Sequence, residues 1–458
     1  MVFFIFFCLT VLLNTENFVC ANTVNYKEHY FNKILVELKE EYPVSEMKDL
    51  YTVLGLNDIT KDTETSFRKC RVFSSLPFEN IREQLLNSGT VKRVEPDIQF
   101  RLNEIPNDPL FVKQWGMHNI GQTGGKDDAD IDAPEAWDVH TGNGEIIVAV
   151  IDTGVDYNHV ELKNNTWINK GEIPGNGIDD DRNGYIDDVC GWNFVDWNNN
   201  PMDDSDPISH GTHVTGIIGA TGNNGTGISG VNWKIRIMSL KCFNKYGYAY
   251  LSDILPAVQY AVGNGAKVIN CSWGSLFPSK GLEEILDYAG KNGVVVVASA
   301  GNWGMDLDNP PKFDGISLGN YPAGYNLPNI ISVAASNHSD KLAWFSNYGR
   351  VSVDLAAPGV DVLSTKAGND YRYLSGTSMS APFVTGTAGL TLSQRPELKS
   401  DYVIETILSS VDQIPEFKGK VKTGGRLNLA NCMISVPRAG VPDYVLKYVY
   451  YYMLEQNQ

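Results

Sequence analysis

Five runs rich in Val, Ile and Ala alternate with helix-length segments in the middle of the chain. Each run is largely apolar rather than alternating, which is typical of parallel strands buried on both faces of a sheet. The predicted strands are 146–151, 235–240, 268–270, 294–298 and 330–334. Predicted helices lie at 252–262, at 282–291 and in the segments that follow His210 and Ser378. This alternation predicts an α/β fold with a doubly wound, mostly parallel sheet and helices on both faces, so functional side chains are expected at strand ends and helix starts.

The residues before this region follow a different pattern. Residues 1–21 contain an apolar run and end in small residues suited to signal peptidase, which predicts a signal peptide. A short membrane anchor is the alternative, but the run is shorter than the about 20 apolar residues that span a bilayer. A helical stretch at 78–86 and a strand-like stretch at 91–96 predict a small α+β module, and a turn-rich join at 103–109 follows it.

These patterns divide the chain into four parts. We expect a signal peptide at 1–21, an accessory module at 22–105, the sheet domain at 106–430 and a C-terminal extension at 431–458 that is a docked helix or a tail. No later segment is long and apolar enough to cross a membrane, so stable membrane insertion is not expected.

The net charge of the chain limits the kinds of molecule that it is expected to bind. The 458 residues carry 37 Lys+Arg against 54 Asp+Glu, a formal net charge of -17, which repels phosphate backbones and argues against a nucleic-acid partner. The segment 172–206 holds ten carboxylates and one arginine, a composition that attracts cations. We expect a soluble monomer.

The predicted signal peptide implies an oxidising compartment, in which cysteines can form disulfides and sequons can be glycosylated. Four cysteines of the main body allow three disulfide pairings, which the sequence leaves open, and none has zinc-ligand spacing: Cys190, Cys242, Cys271 and Cys432. Four sequons permit glycosylation, at Asn164, Asn224, Asn270 and Asn337.

Polar side chains suited to one reaction stand at predicted strand ends and helix starts. Asp152 directly follows the 146–151 strand, His210 lies in Ser-His-Gly-Thr-His-Val-Thr-Gly, and Ser378 lies in Ser-Gly-Thr-Ser-Met-Ser-Ala-Pro. Asn302 follows the 294–298 strand, where its amide can donate to an oxyanion. Each motif alone is weak evidence for a catalytic site; an Asp after a strand, for example, usually only forms a turn. Together they supply acid, base, nucleophile and oxyanion donor on one sheet.

Two neighbours are alternative catalytic groups. His213 could replace His210 as the base, and Ser380 could replace Ser378 as the nucleophile. The two histidines could also suggest a metal site, but the H-E-x-x-H pattern is absent. We expect helix geometry to turn His213 and Ser380 elsewhere.

The sequences around Asp152, His210, Asn302 and Ser378 resemble those of the subtilisin-like serine proteases, the subtilases, over most of residues 108–430. The resemblance implies that Ser378 is the nucleophile, His210 the general base and then acid, and Asp152 the carboxylate that orients the imidazole. The Asn302 amide and the Ser378 N–H would bind the oxyanion. The acidic insert and the segment 107–116 resemble both bacterial secreted enzymes and apicomplexan subtilisin-1-like enzymes, with a mild preference for the latter, which implies secretion or storage in a secretory organelle.

Other residues are assigned to substrate binding by the same resemblance. Subtilases hold an extended peptide between two edge segments, as an added strand. The matching positions are Tyr246, Gly247 and Tyr248 on one side and Ser272, Trp273 and Gly274 on the other. Without the resemblance both segments would be ordinary turns. Asn320 resembles the floor of the pocket for the residue before the scissile bond.

The acidic segment repeats the start of an EF-hand loop. Its first nine positions include Asp179, Asp181, Asn183, the Tyr185 carbonyl and Asp187. Position twelve is Cys190 rather than glutamate and no flanking helices are evident, so the sequence predicts a Ca²⁺ loop outside an EF-hand. Asp188 and Glu172 are candidate additional ligands, and a solvated acidic loop is the alternative.

A second calcium site is implied only by the resemblance. Its candidate ligands are side chains and carbonyls of Glu161, Thr221, Asn224, Thr226, Ile228 and Asp108. From composition alone, the Gly- and Asn-rich loop at 221–228 is merely flexible.

Residues 91–99 resemble the end of subtilase propeptides, which are intramolecular chaperones and inhibitors. The resemblance implies that 22–105 is an inhibitory propeptide with autocleavage between Gln99 and Pro106; an independent accessory domain is the alternative. The sequence therefore predicts a secreted, calcium-stabilised serine endopeptidase made as a zymogen. The alternatives are a catalytically silent subtilase-like module that binds peptides or calcium, and an α/β-hydrolase esterase, whose G-x-S-x-G elbow is absent.

Overall fold

The computed structural model describes residues 33–39, 47–60, 67–73, 78–96, 105–205 and 207–436. Contacts divide the chain into two compact units, of which the second comprises residues 103–436. The predicted signal peptide, most of the predicted cleavage region and residues 437–458 lie outside the described residues.

The strands and helices are numbered in chain order. The strands are β1 Lys33–Leu38, β2 Leu56–Asp58, β3 Phe67–Val72, β4 Val91–Pro96, β5 Ile147–Asp152, β6 Gly191–Asn193, β7 Arg236–Lys241, β8 Val268–Cys271, β9 Val295–Ser299, β10 Lys312–Phe313, β11 Ile316–Ser317, β12 Ile330–Ser336, β13 Leu355–Pro358, β14 Val362–Lys366, β15 Asp370–Leu374, β16 Asp412–Gln413 and β17 Gly425–Arg426. The α-helices are α1 Lys48–Val53, α2 Phe78–Asn87, α3 Ala133–Trp137, α4 His210–Gly219, α5 Leu251–Gly263, α6 Lys280–Lys291, α7 Thr377–Gln394, α8 Ser400–Ser409 and α9 Leu429–Ser435.

The N-terminal unit contains a four-stranded antiparallel sheet in the order β2-β3-β1-β4. Alternate residues of β1, Ile34, Val36 and Leu38, are buried, as expected when one face of a strand packs on a core. The helical and strand-like stretches predicted at 78–86 and 91–96 correspond to α2 and β4. The predicted α+β pattern therefore agrees with the structure.

The second unit is built on a nine-stranded sheet in the order β16-β17-β13-β12-β9-β8-β5-β7-β6. All neighbouring strands are parallel except β16 and β17. The five predicted strands correspond to β5, β7, β8, β9 and β12, each within two residues at either end. The prediction of a doubly wound, mostly parallel sheet is confirmed.

Strand β5 stands where the order of the sheet reverses. The chain proceeds from β5 to β7 on one side and then to β8 on the other. In such sheets, ligands bind in the crevice outside the carboxyl ends of the strands at this reversal. Asp152 is the last residue of β5, so the topology brings the first predicted catalytic residue to this crevice.

The five cysteines in the described part of the chain are all free thiols. None of the three disulfide pairings left open by the sequence is therefore formed there. The sequon residue Asn270 is fully buried in β8, with its amide hydrogen-bonded to Ser272, so it is not available as a glycosylation site in the folded domain. No described helix has both the length and the apolar character required to cross a membrane.

Candidate active site

Asp152 and His210 are directly hydrogen-bonded. His210 is the first residue of α4, and its Nδ1 lies 2.8 Å from Oδ1 of Asp152 at the end of β5. The same carboxylate oxygen accepts a 2.7 Å hydrogen bond from the N–H of Thr153. The Asp152 side chain is 3% exposed and that of His210 is 23% exposed. The acid is thus buried while the imidazole reaches solvent.

The surroundings of His210 favour its charged form. Burial lowers the pKa of the imidazole, but the charge of Asp152, the hydrogen bond to Asp152 and the charge of Asp203 together raise it above its usual value. An imidazole with a raised pKa accepts a proton readily, which suits a general base.

The alternative base and nucleophile face elsewhere. His213 is fully buried, and its Nε2 lies 3.1 Å from the carbonyl oxygens of both Val362 and Arg372. Burial and the neighbouring His210 lower the pKa of His213 to about 3. The Ser380 hydroxyl is also buried, without a hydrogen-bond partner among the described residues. Neither side chain is placed to meet a substrate.

Ser378 is the second residue of α7, and two hydrogen bonds tie it to the loop after β8. Its Oγ donates to the carbonyl of Ser272 at 2.9 Å, and the Ser272 hydroxyl donates to the Ser378 carbonyl at 2.8 Å. The amide of Asn270 donates in turn to the Ser272 hydroxyl. Among the described residues, no hydrogen bond joins Ser378 Oγ to His210; catalytic hydrogen bonds are often incomplete before a substrate binds.

Asn302 is oriented by Thr377. Its Oδ1 accepts hydrogen bonds from the N–H and the hydroxyl of Thr377, each 2.9 Å long. A β-carbon built on Gly376 would lie 3.5 Å from Asn302 Nδ2 and 3.7 Å from the Ser378 nitrogen. Both nitrogens therefore border the same small space beside Gly376 at the start of α7. The sequence analysis missed Thr377, because a hydroxyl whose partner is 75 residues away leaves no sequence signal.

An open cavity of about 270 Å³ joins several of these groups. Its lining residues are Asp152, Thr153, Ile208, His210, Phe243, Gly247, Ser272, Trp273 and Gly274. The two predicted substrate-binding edges therefore border one cleft with His210. Beside it, Tyr246 and Tyr248 are 68% and 73% exposed.

Asn320 lies directly beneath one edge of this cleft. Its side chain is buried, and its Nδ2 donates to the Ser299 carbonyl at 2.6 Å. A β-carbon on Gly274 would approach Asn320 Oδ1 to 2.2 Å, so this close packing requires glycine. Asn320 therefore packs directly against Gly274, and its role as a pocket floor stays a prediction.

Three acidic residues of the predicted calcium loop converge. Carboxylate oxygens of Glu172, Asp179 and Asp181 all lie within 4.8 Å of one another. Facing carboxylates repel each other, and hard oxygen donors are the ligands that Ca²⁺ prefers, so this set fits the cation. Asn183 lies at the edge of the cluster, donating to Asp181 at 3.2 Å.

The other candidate ligands of this loop have separate partners. Asp187 accepts hydrogen bonds from the backbone of residues 175–177. Asp188 is buried and accepts from Tyr260 and Asn169. The ring of Tyr185 packs against Tyr260. The structure therefore groups Glu172, Asp179 and Asp181 and places Asp187 and Asp188 in neighbouring hydrogen-bond networks.

The second candidate calcium site is occupied by hydrogen bonds. Glu161 accepts from the N–H of Ile228, the Tyr371 hydroxyl and the Asn224 amide. Asp108 accepts from the backbone N–H groups of residues 223–225 and from the hydroxyl of Ser229. Thr221 donates to the Glu161 carbonyl, and the Thr226 N–H donates to the Asn224 side-chain oxygen. Glu172, Asp179 and Asp181 also accept hydrogen bonds, so what distinguishes the acidic loop is that three of its carboxylates converge.

The sequence is similar to known proteases. The subtilase family pattern matches residues 143–428. A thermophilic serine proteinase of Bacillus sp. (strain AK1) is 36% identical over 363 residues, covering 79% of this chain and 78% of that protein. Subtilisin-like protease 1 of Plasmodium falciparum (isolate 3D7) is 36% identical over 289 residues, covering 61% of this chain and 42% of that protein. Equal identities do not favour apicomplexan over bacterial relatives.

The fold is also similar to that of a solved protease structure. A protease from Pseudoalteromonas arctica PAMC 21717 superposes with a TM-score of 0.56 and 26% sequence identity, covering 72% of this chain and 99% of that one. The likeness extends to the whole of that protein's fold.

Proposed function

Because this chain belongs to the subtilase family and is a serine endopeptidase, we propose that Ser378, His210 and Asp152 are its catalytic triad and that Asn302 assists at the oxyanion. The observation that carries this proposal is the 2.8 Å hydrogen bond between Asp152 and His210, in a cleft that is also lined by Ser272, the hydrogen-bond partner of Ser378.

Attack begins at Ser378. Its Oγ adds to the carbonyl carbon of the scissile peptide bond, while His210 Nε2 takes the hydroxyl proton. Asp152 accepts the hydrogen bond from His210 Nδ1–H and stabilises the imidazolium that forms. The carbonyl oxygen becomes negative, and the Asn302 amide and Ser378 N–H donate to it.

Collapse of the tetrahedral intermediate releases the first product. His210 gives its proton to the leaving amine, which leaves the acyl group on Ser378. A water molecule then attacks the acyl carbon, with His210 again taking the proton, and the acid product leaves. The hydrogen bond from Ser378 Oγ to the Ser272 carbonyl breaks when the hydroxyl attacks, whereas the one from the Ser272 hydroxyl to the Ser378 carbonyl does not involve the reacting atom and holds the start of α7 in place.

The substrate lies extended between the edges 246–248 and 272–274. Both edges border the cleft, and a peptide can lie between them as an added strand. The side chain before the scissile bond points toward Asn320. Profiling the cleavage of a peptide library by purified protein tests this arrangement, which predicts that Asn320→Ala changes the preference at that position and leaves the others unchanged.

Calcium at Glu172, Asp179 and Asp181 would stabilise the fold by neutralising facing carboxylates. Saturating Ca²⁺ at one hundred times its Kd contributes about 2.7 kcal/mol, so chelation lowers Tm by several degrees. Asp181→Asn abolishes this Ca²⁺-dependent shift, whereas Asp180→Asn, whose carboxylate faces Asn176, retains it. Equal Tm values with and without Ca²⁺ would contradict the site.

The enzyme is made as a secreted zymogen and works as a monomer. The acidic composition, the apolar N-terminal run and the module at 22–105 support this view. Terminal sequencing of the processed enzyme should place its N-terminus between Gln99 and Pro106, and Ser378→Ala should keep the module attached. Identical processing of both proteins would exclude autocleavage.

A further inference from the structure

We propose that Asp203 is a positioning residue that fixes the helix carrying His210 against the strand carrying Asp152 and places a second negative charge behind the imidazole. The proposal rests on the catalytic roles proposed above. In the sequence, Asp203 is one of ten carboxylates in the acidic segment 172–206, and no motif there assigns it a role in the site.

Asp203 is buried and accepts five hydrogen bonds. Its Oδ2 accepts from the N–H of Thr212 at 3.0 Å and from the Thr212 hydroxyl at 2.7 Å. Its Oδ1 accepts from the Thr153 hydroxyl at 3.1 Å and from the N–H and hydroxyl of Ser205. One carboxylate thus joins the residue after Asp152 to the third residue of α4.

These contacts replace the missing cap of α4. Ser209, at the N-cap position, makes no side-chain capping hydrogen bond. The free N–H groups of the first turn are instead satisfied from outside the helix, Gly211 by the Thr153 hydroxyl at 2.9 Å and Thr212 by Asp203. The start of the helix, and with it His210, is therefore fixed relative to β5 rather than to its own preceding residue.

A buried ammonium holds the other side of Thr153. Lys241 pairs with Asp152 across β5 and β7, and its side chain is 3% exposed. Its Nζ donates to the Thr153 carbonyl and to Asp204, each at 2.7 Å. Thr153 is thus anchored at both its hydroxyl and its carbonyl. Because Thr153 directly follows Asp152, loss of the Asp203 contact should shift the position of the Asp152 carboxylate.

Four charged or titratable groups belong to the network around His210 and Thr153. Asp152 lies on β5, Asp203 on the preceding loop and His213 on the same helix, while Lys241 contacts Thr153 from β7. The charges of both carboxylates raise the pKa of His210. Removing the Asp203 charge should therefore lower the pH at which His210 loses its proton.

Asp203→Asn tests the proposal, with Asp196→Asn as the matched control. Asp196 carries the same charge in the same acidic segment, is exposed, and accepts a hydrogen bond from the Asn193 amide at 3.0 Å. We expect Asp203→Asn to lower kcat about tenfold with little change in KM and to move the acidic limb of the kcat/KM profile to lower pH. Asp196→Asn should leave both nearly unchanged.

NMR titration of His210 in a Ser378→Ala background measures the same effect without activity. We expect Asp203→Asn to lower the His210 midpoint more than Asp196→Asn does. Equal midpoints together with kcat within twofold of the parent would overturn the proposal. Failure of the parent to hydrolyse any peptide would overturn the proposed function, and the titration would still decide the role of Asp203.

If Asp203→Asn does not fold by circular dichroism, Thr153→Val provides the decisive variant. It keeps the Asp203 charge and removes only the hydroxyl that bridges Asp203 and Gly211. We then expect kcat to fall at least fivefold with the acidic limb unmoved. A kcat within twofold of the parent would overturn the positioning role.

Discussion

At the end of β5, Asp152 and His210 are joined side chain to side chain, whereas at the start of α7, Ser378 donates to the Ser272 carbonyl and Asn302 is held by Thr377. Both halves pair a strand end with a helix start. In the proposed mechanism, Asp152 and His210 form the acid–base half, and their hydrogen bond is already made. Ser378 and Asn302 form the nucleophile half, in which the Ser378 hydroxyl donates to a backbone carbonyl, so the proposed attack requires that one hydrogen bond to break.

The largest effect should come from the nucleophile half. We expect Ser378→Ala to lower kcat by roughly 10⁶-fold, because no other hydroxyl can form the acyl intermediate. Ser380→Ala is the matched control, two residues along the same helix, and should retain near-normal activity since the Ser380 hydroxyl is buried. Steady-state kinetics on a peptide substrate measures both. Equal losses would show that the helix start, rather than the Ser378 hydroxyl, is what matters.

Asp152→Asn removes the carboxylate that pairs with His210 in the acid–base half. We expect kcat to fall by roughly 10⁴-fold, since the amide no longer holds the correct tautomer. The parent loses activity as pH falls through the raised pKa of His210, because the protonated imidazole cannot act as a base. Loss of the Asp152 charge lowers that pKa, so residual activity should persist to lower pH. A pH–rate profile that stays in place would show that Asp152 does not act through His210.

Asn302→Ala separates the contribution of the Asn302 amide from that of the Ser378 N–H within the nucleophile half. Loss of one oxyanion donor should lower kcat by about 10²- to 10³-fold with KM nearly unchanged. The remaining activity reflects the Ser378 N–H, which flanks the same space. If KM rises while kcat stays constant, Asn302 binds the ground state and is not an oxyanion donor.

Thr377→Val should give the smallest effect, about tenfold in kcat, because it removes a hydrogen bond that orients Asn302. Thr377 acts through Asn302 in this account, so Thr377→Val combined with Asn302→Ala should lose little more than Asn302→Ala alone. A fully additive loss in the double-mutant cycle would show that Thr377 has an independent role.

Sequence patterns predict the parts of the molecule that local composition determines. The central strands β5, β7, β8, β9 and β12 are continuously apolar, so their positions were predictable. The edge strands β6, β16 and β17 are two or three residues long and give no periodic signal. For these strands, pairing with a neighbour rather than local sequence sets the structure.

The same limit applies within the site. Asp152, His210, Asn302 and Ser378 stand in motifs that a single sequence displays. Thr153, a partner of Asp203, is 50 residues away from it and Asn302 is 75 residues away from Thr377, so these contacts follow only from the fold. Asp187, at the ninth position of the acidic loop, accepts hydrogen bonds from the turn at 175–177, a contact that the EF-hand spacing does not indicate.

Labelling with a fluorophosphonate tests whether Ser378, His210 and Asp152 form one catalytic site, since the reagent requires an activated serine beside a base and oxyanion donors. Mass spectrometry of the digested adduct should place the phosphonyl group on Ser378 alone, with labelling much slower in Asp152→Asn and in His210→Ala. Labelling of another serine, or equal rates in the parent and both variants, would contradict the convergence of these three residues in one site.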